Sequence, residues 1–353
     1  MKFHRLGRTD MEVSQVCLGT MMLGEMIGAR DAERQFDLAV ESGVTFFDTA
    51  ETYPVPMRPT TFGQTEEIIG AWLRKKGNRR DIILSTKIAG PPPRDVVPPN
   101  VPLAYVRDGH PRLDRANIRA AVEESLRRLG TDYIDLLQPH WPDRATNDLK
   151  KLGYVHDPDD DPVPIEETLE VFAELIAEGK VRAIGLSNET AWGVGRYLSA
   201  SERLGLPRVA SISNAYNLLC RTFEIGIAEF SHREDVGLLA YSPLAMGALS
   251  GKYLDGARPE GARLSIHPHP RYTRPAAVRA TQAYVDVARA AGLDPAVMAL
   301  AYVASRPFTT ATIIGASSLD QLRTDISACS IDLPTDVLNA IEAIHADNSN
   351  PGP

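Results

Sequence analysis

Residues 116–140 read ANIRAAVEESLRRLGTDYIDLLQPH. In the first half Ile118, Val122, Leu126 and Leu129 recur three or four positions apart among charged residues, which predicts a helix over 116–129 with one apolar stripe. The second half, from Tyr133, is a short apolar run closed by Pro139 and His140, long enough for a strand and too short for a buried helix. A charged-and-apolar helix leading into a strand that is apolar on both faces is the repeating unit of a parallel sheet.

The same alternation extends both ways along the chain. Further strands are expected at VCLGT (16–20), TFFDTA (45–50), DIILSTK (81–87), VRAIGLSN (181–188), ASISNAY (210–216), GLLAYSP (237–243) and TATIIGAS (310–317). Amphipathic stretches at 32–42, 165–178, 223–233 and 278–291 fall between them. That gives eight strands, none of them a polar edge, so the pattern specifies an α/β fold, a single (β/α)8 TIM barrel over 1–353, rather than an open sheet.

The chain is longer than the roughly 250 residues typical of that fold, and the surplus has a place. FHRLGRTDMEVS reads as an N-terminal β-hairpin turning at 7–10, which puts residues 1–15 at the barrel base. Proline-rich stretches at 88–114 and 141–164, and a third long segment at 247–275, follow strands, so they are expected as loops on the C-terminal face, where barrel active sites are built. A C-terminal helix follows Pro334, and 347–353 is expected as a loose tail.

Composition narrows the function. A net charge of -8 without a long Lys/Arg run disfavours nucleic acid. No apolar run reaches the roughly 20 residues of a membrane span, and the start has no signal-peptide core, which points to the cytoplasm. Cys17, Cys220 and Cys329 form no CxxC pair and are read as reduced packing residues. HPHP at 267–270 and DPDDDP at 157–162 lack the spacing of a zinc or calcium site and are read as loops, so no metal is expected.

Four polar residues stand where buried strands meet loops. Asp48 ends strand two, Tyr53 follows on its loop, Lys87 ends strand three and His140 ends strand four, so a barrel brings them to one mouth. Hydride reduction of a carbonyl suits this set. The new alkoxide needs a proton, a tyrosine beside an ammonium can give it, a carboxylate keeps the ammonium charged, and an imidazole can orient the carbonyl oxygen. Each residue alone also has a bland reading, as a turn cap, a surface lysine, a core histidine or a barrel cover; coincidence at one end of three successive strands favours the chemistry.

On these residues the chain resembles the aldo-keto reductases, in particular the branch of bacterial Tas-like proteins and potassium-channel β subunits. The segments GRTDMEVSQVCLGTM, FDTAETY, STK, QPHW, ALAYVASRP and IIGASSLDQL carry the resemblance from end to end. It implies the family's catalytic tetrad at Asp48, Tyr53, Lys87 and His140, and an extended NADP(H) across the mouth. No GxGxxG or P-loop is present, since GALSGK at 247–252 is one residue short between its glycines. By the resemblance Gly19, Thr20, Met21 and Asp48 border the cofactor. Ser187, Asn188 and Ser213 hold the nicotinamide amide, and Tyr241 stacks on its ring. Ser242, Pro243, Leu244, Gly247 and Leu249 line the pyrophosphate, with Lys252 and Arg263 as nearby cations. Gly315, Ser317, Gln321 and Asp325 take the 2′-phosphate and adenine end, where helix N-terminal amides suit an anion.

Two positions depart from the family. Ser213 stands where relatives carry glutamine, and Asp325 where they carry asparagine; an acid there either repels the 2′-phosphate or accepts from the adenine amino group. Substrate would meet Tyr53, His140 and Trp141, with Met22 and Met57 either neighbours or core. The long loops fit a bulky ketone or a small aldehyde equally.

The expected function is NADP(H)-dependent reduction of an aldehyde or ketone, with secondary alcohol oxidation as its reverse. The rival is a cofactor-binding redox sensor or regulatory subunit, marked by slow turnover and a stable partner. Schiff-base chemistry is disfavoured, because Asp48 would raise the lysine pKa that such chemistry needs lowered. The resemblance is compatible with a homo-oligomer and calls for no nucleic acid or membrane partner.

Overall fold

In the computed structural model, residues 1–91, 105–146 and 151–353 are described. Parallel strands β3 (Val16–Gly19), β4 (Phe46–Asp48), β5 (Ile83–Ile88), β6 (Ile134–Pro139), β7 (Val181–Ser187), β8 (Val209–Ala215), β9 (Gly237–Tyr241) and β10 (Thr309–Ile314) close into a barrel, β10 pairing with β3. All eight lie at the expected segments. The hairpin is also as expected: β1 (Phe3–Arg5) pairs antiparallel with β2 (Glu12–Ser14), Phe3 opposite Ser14.

That hairpin plugs the barrel. Leu6, Met11 and Val13 are buried in one cluster with Cys17, Phe46, Leu136, Ala210, Leu239 and Ala311, because inward-facing strand residues leave an apolar opening at the N-terminal end that must be covered. The turn makes close contact only because residue 7 is glycine. A Cβ there would sit 2.4 Å from the Ala210 carbonyl oxygen, and its φ is +56°.

Outside the strands lie α1 (Ala29–Glu41), α2 (Gln64–Lys76), α3 (Arg115–Leu129), α4 (Ile165–Ala177), α5 (Ala191–Leu204), α6 (Ile227–Glu234), α7 (Arg263–Ile266), α8 (Pro270–Thr273), α9 (Pro275–Ala290), α10 (Pro295–Ala304), α11 (Leu319–Ala328) and α12 (Thr335–Asp347). Phe36 of α1, Phe47 of β4 and Trp72 of α2 meet with ring centroids 5.1–5.6 Å apart, an aromatic wedge between helix layer and strand. No single helix among the described residues is long and apolar enough to cross a membrane.

Three expectations need correction. The helix expected at 223–233 begins only at Ile227, because Gly226 takes φ +92°, outside helical space. The segment 247–275 is not a plain loop: it folds into short helical turns at Ala245–Ser250 and Leu254–Gly256 and into α7 and α8. The tail is not loose. Residues 350–353 are buried, with the Asn350 side chain accepting from the Arg221 amide at 2.6 Å and the Gly352 amide donating to Leu219 at 2.8 Å. Of the other loop expectations, 92–104 and 147–150 lie outside the described residues.

A buried ion pair fastens the first helices to the barrel. Glu66 of α2 accepts from Arg128 of α3 at 2.7 Å and from the Thr86 hydroxyl of β5 at 2.6 Å, with both charges buried. Gly70 lets the two helices touch, since a Cβ there would lie 2.4 Å from the Arg128 carbonyl oxygen. Removing one partner strands the other charge, so Arg128→Ala is expected to cost about 3–5 kcal/mol in urea denaturation; a loss under about 1 kcal/mol would show that Glu66 finds other compensation.

Candidate active site

Strand register builds the site. Asp48, the last residue of β4, lies opposite Gly19 of β3 and Ser85 of β5, and Lys87 lies opposite Gln138 of β6. Lys87 donates from Nζ to Asp48 Oδ2 at 2.6 Å and to the Thr49 carbonyl at 2.9 Å, with its side chain 3% exposed. The other Asp48 oxygen accepts from the Ser85 hydroxyl at 3.2 Å, and Ser85 accepts from Gln138 at 2.7 Å. A buried carboxylate is thus paired and hydrogen-bonded on both oxygens, which is what burial of charge demands.

Tyr53 and His140 cover this pair. Lys87 Nζ is 5.4 Å from the Tyr53 ring centre, and the Tyr53 and His140 rings meet edge to face at 5.5 Å. Burial pushes the Tyr53 phenol above its ordinary range; Lys87 and Arg263 oppose that and Asp48 reinforces it. For Lys87 burial disfavours the charge, but Asp48 and Tyr53 outweigh it and the ammonium is held above its usual value. His140 is pushed well below its usual value by burial and then by Lys87, so it is neutral at physiological pH. Its Nδ1 lies 3.4 Å from the Thr52 hydroxyl, leaving Nε2 for a ligand.

A second constellation borders the first. Asn188, at φ +55° after β7, donates to the His140 carbonyl at 2.8 Å and accepts from the Tyr241 hydroxyl at 2.6 Å. Ser187 is paired in register with Ser213 of β8, whose buried hydroxyl has no hydrogen-bond partner among the described residues. Thr20 donates to the Asp48 carbonyl at 2.8 Å, and the Met21 carbonyl accepts from Val55, tying β3 to the Tyr53 loop. Gly19 admits Ile313, whose Cγ2 would be 2.8 Å from a Cβ.

Ser242, at φ +54°, leads through Pro243 and Leu244 into the turn that holds Gly247 and buried Leu249. A Cβ at Gly247 would lie 3.0 Å from the Lys252 side chain. Lys252 is influenced by Asp325 of α11, whereas Arg263, at the start of α7, faces Tyr272, Tyr53 and Tyr253. The two cations therefore have different neighbours. Burial lowers the pKa of both, and neither forms an ion pair with a described residue. Beyond Gly315, Ser317 donates to the Gln321 side chain at 2.8 Å ahead of the Ser318 cap of α11.

The expected substrate neighbours separate. Trp141 and Met57 join Phe62, Tyr105 and Val106 in one apolar cluster, and Trp141 donates to the Pro91 carbonyl. Met22 packs instead with the cluster of Leu18, Leu23 and Phe36.

Sequence reasoning passed over Glu51. It is fully buried, its carboxylate accepts from the Ala89 amide and, at 2.7 Å, from Arg107, and its own amide donates to the Lys87 carbonyl. It binds the Tyr53 loop to β5 and to the loop beyond. An acid inside TFFDTAETYP was the available signal, but its partner lies 56 positions away.

Residues 15–346 match the Aldo/keto reductase family. The chain is 46% identical to Protein tas of Escherichia coli (strain K12) over the full length of both, and 33% identical to the Uncharacterized oxidoreductase YrpG of Bacillus subtilis (strain 168) over 100% of this chain and 97% of that one. It is also 29% identical to a Probable voltage-gated potassium channel subunit beta of Arabidopsis thaliana over 94% and 92% of the two chains. A barrel with this mouth, matched over nearly its whole length, belongs to the aldo/keto reductase family of oxidoreductases.

Proposed function

We propose that the mouth reduces an aldehyde or ketone with NADPH and, run backwards, oxidises a secondary alcohol. The observation that carries this reading is the buried Lys87–Asp48 pair beneath a protonated Tyr53 and a neutral His140. The nicotinamide, when bound, supplies a hydride. Tyr53 gives its proton to the carbonyl oxygen, and its burial-raised pKa keeps that proton in place until charge develops there. Lys87, held charged by Asp48, then stabilises the phenolate. His140 donates from Nε2 to the same oxygen and orients it.

The residues suit a dinucleotide. Two partly buried cations, Lys252 and Arg263, lack ion-pair partners among the described residues, the arrangement an anion would complete. The orphaned Ser213 hydroxyl offers a polar contact to a carboxamide. Asn188, already engaged with His140 and Tyr241, serves more as a brace for the Tyr241 ring than as a free ligand. Trp141, Met57 and Phe62 supply an apolar wall for the substrate's side group.

Asp325 carries its own consequence. Burial pushes its carboxyl up to about 7, Lys252 opposing and Asp294 adding to the shift. The folded chain therefore keeps a proton there that the unfolded chain loses above roughly pH 4. This penalty on the fold is absent at lower pH, grows between about pH 4 and 7 and stays in full above that. As a neutral acid, Asp325 can both donate and accept, as asparagine does.

Asp325→Asn is accordingly expected to raise Tm by about 2–5 °C at pH 8, with the gain vanishing as pH falls toward 4; a gain independent of pH in calorimetry would refute the titration. For the chemistry, Tyr53→Phe is expected to lower kcat for reduction of an aromatic aldehyde about 10²- to 10⁴-fold while NADPH affinity holds within about threefold. Turnover near the unmodified level in that variant would remove Tyr53 as the acid.

A further inference from the structure

The buried tail and the nicotinamide end of the mouth are parts of one bonded assembly. Arg271 of α8 is 6% exposed and has no carboxylate in ion-pair reach among the described residues. It donates from Nε to the Gly352 carbonyl at 3.0 Å and from Nη2 to the Cys220 sulfur at 3.3 Å. Its charge opposes the upward push of burial on the Tyr241 phenol, the group that donates to Asn188 and so reaches the His140 carbonyl. Tyr272 starts a second route. Gly352 sits against its ring at a distance that leaves a Cβ only 3.1 Å away, its hydroxyl meets Asn217 at 3.3 Å, and Asn217 donates to the Ser242 carbonyl at 3.0 Å.

The tail is fixed from the other side too. Asn350, at φ +50°, accepts from the Arg221 amide, and the Gly352 amide donates to Leu219. Residues 350–353 thereby bridge the segment after β8 and helix α8 after β9, elements with no covalent reason to stay together. Withdrawing the Gly352 carbonyl would leave a buried guanidinium short of an acceptor, a condition that drives a side chain out toward water.

We propose that Asn350–Pro353 is a positioning strap for the nicotinamide end of the cofactor site. By holding Arg271 and Tyr272 against residues 217–221, it fixes Tyr241 and Ser242 in the geometry that receives the dinucleotide. The inference rests on reading that mouth as a dinucleotide site. The gain is preorganisation, so the strap acts on cofactor affinity and leaves the Tyr53–Lys87–Asp48 centre alone.

The test uses the chain with residues 350–353 deleted, Gly352→Val, Arg271→Gln, and the deletion combined with Arg271→Gln. Without nucleotide, amide hydrogen exchange in 237–245 and 263–275 is expected to quicken about tenfold or more in the deletion and in Gly352→Val, with β3–β6 unchanged. NADPH Kd, read by fluorescence quenching, is expected to rise about tenfold while kcat at saturating NADPH stays within about threefold. In the Arg271→Gln background the deletion should add less to Kd than it does alone, since the two changes share the Arg271 route and only the Tyr272 route is left for the deletion to break. Unchanged exchange, exchange raised uniformly around the barrel, or fully additive losses would each overturn the strap; Gly352→Val answers the same questions if the deletion does not fold. An intact chain that binds no NADPH would overturn the dinucleotide reading instead, and exchange would still report whether the tail holds these segments.

Discussion

The site depends on placing an ammonium and a carboxylate together, out of water, at the end of a barrel. Such a pair tolerates burial only with near-ideal contact and with its remaining oxygens and protons satisfied. Asp48 and Lys87 meet that condition through a polar file across three strands, from Lys87 through Asp48 and Ser85 to Gln138. A one-residue slip of β5 against β4 would turn Lys87 outward and break every contact in the file. Electrostatics and strand register therefore enforce each other.

Around this file the charge balance of the mouth runs against that of the whole chain. The protein carries a net -8, yet Lys252 and Arg263 sit partly buried at the rim with their cationic forms disfavoured by burial. A net negative charge makes copies of the chain repel one another, while cations held in a low-dielectric cleft act more strongly on an anion than they would in water.

The barrel was legible because its signals are local. Each strand is a run of apolar residues set off by polar ones, and four of the site residues sit at or just beyond the ends of such runs. The misreadings have two causes. Gly226 interrupts a convincing apolar stripe by conformation, not by polarity. The tail has the composition of a disordered end, and contacts with Leu219, Arg221 and Arg271, more than 80 positions away in sequence, make it part of the core. The Glu51–Arg107 pair was invisible in the same way. Local patterns decide elements, whereas which polar groups find one another is decided by closure of the barrel.

The hairpin at the base gives the molecule a polarity of its own. Leu6, Met11 and Val13 seal the end opposite the chemistry, with Gly7 pressed on β8. The apolar seal lies at one pole and the candidate site at the other. Insertions, deletions and drift in the upper loops can then reshape what the mouth accepts without touching the seal, so the architecture separates the inheritance of a fold from the invention of a substrate.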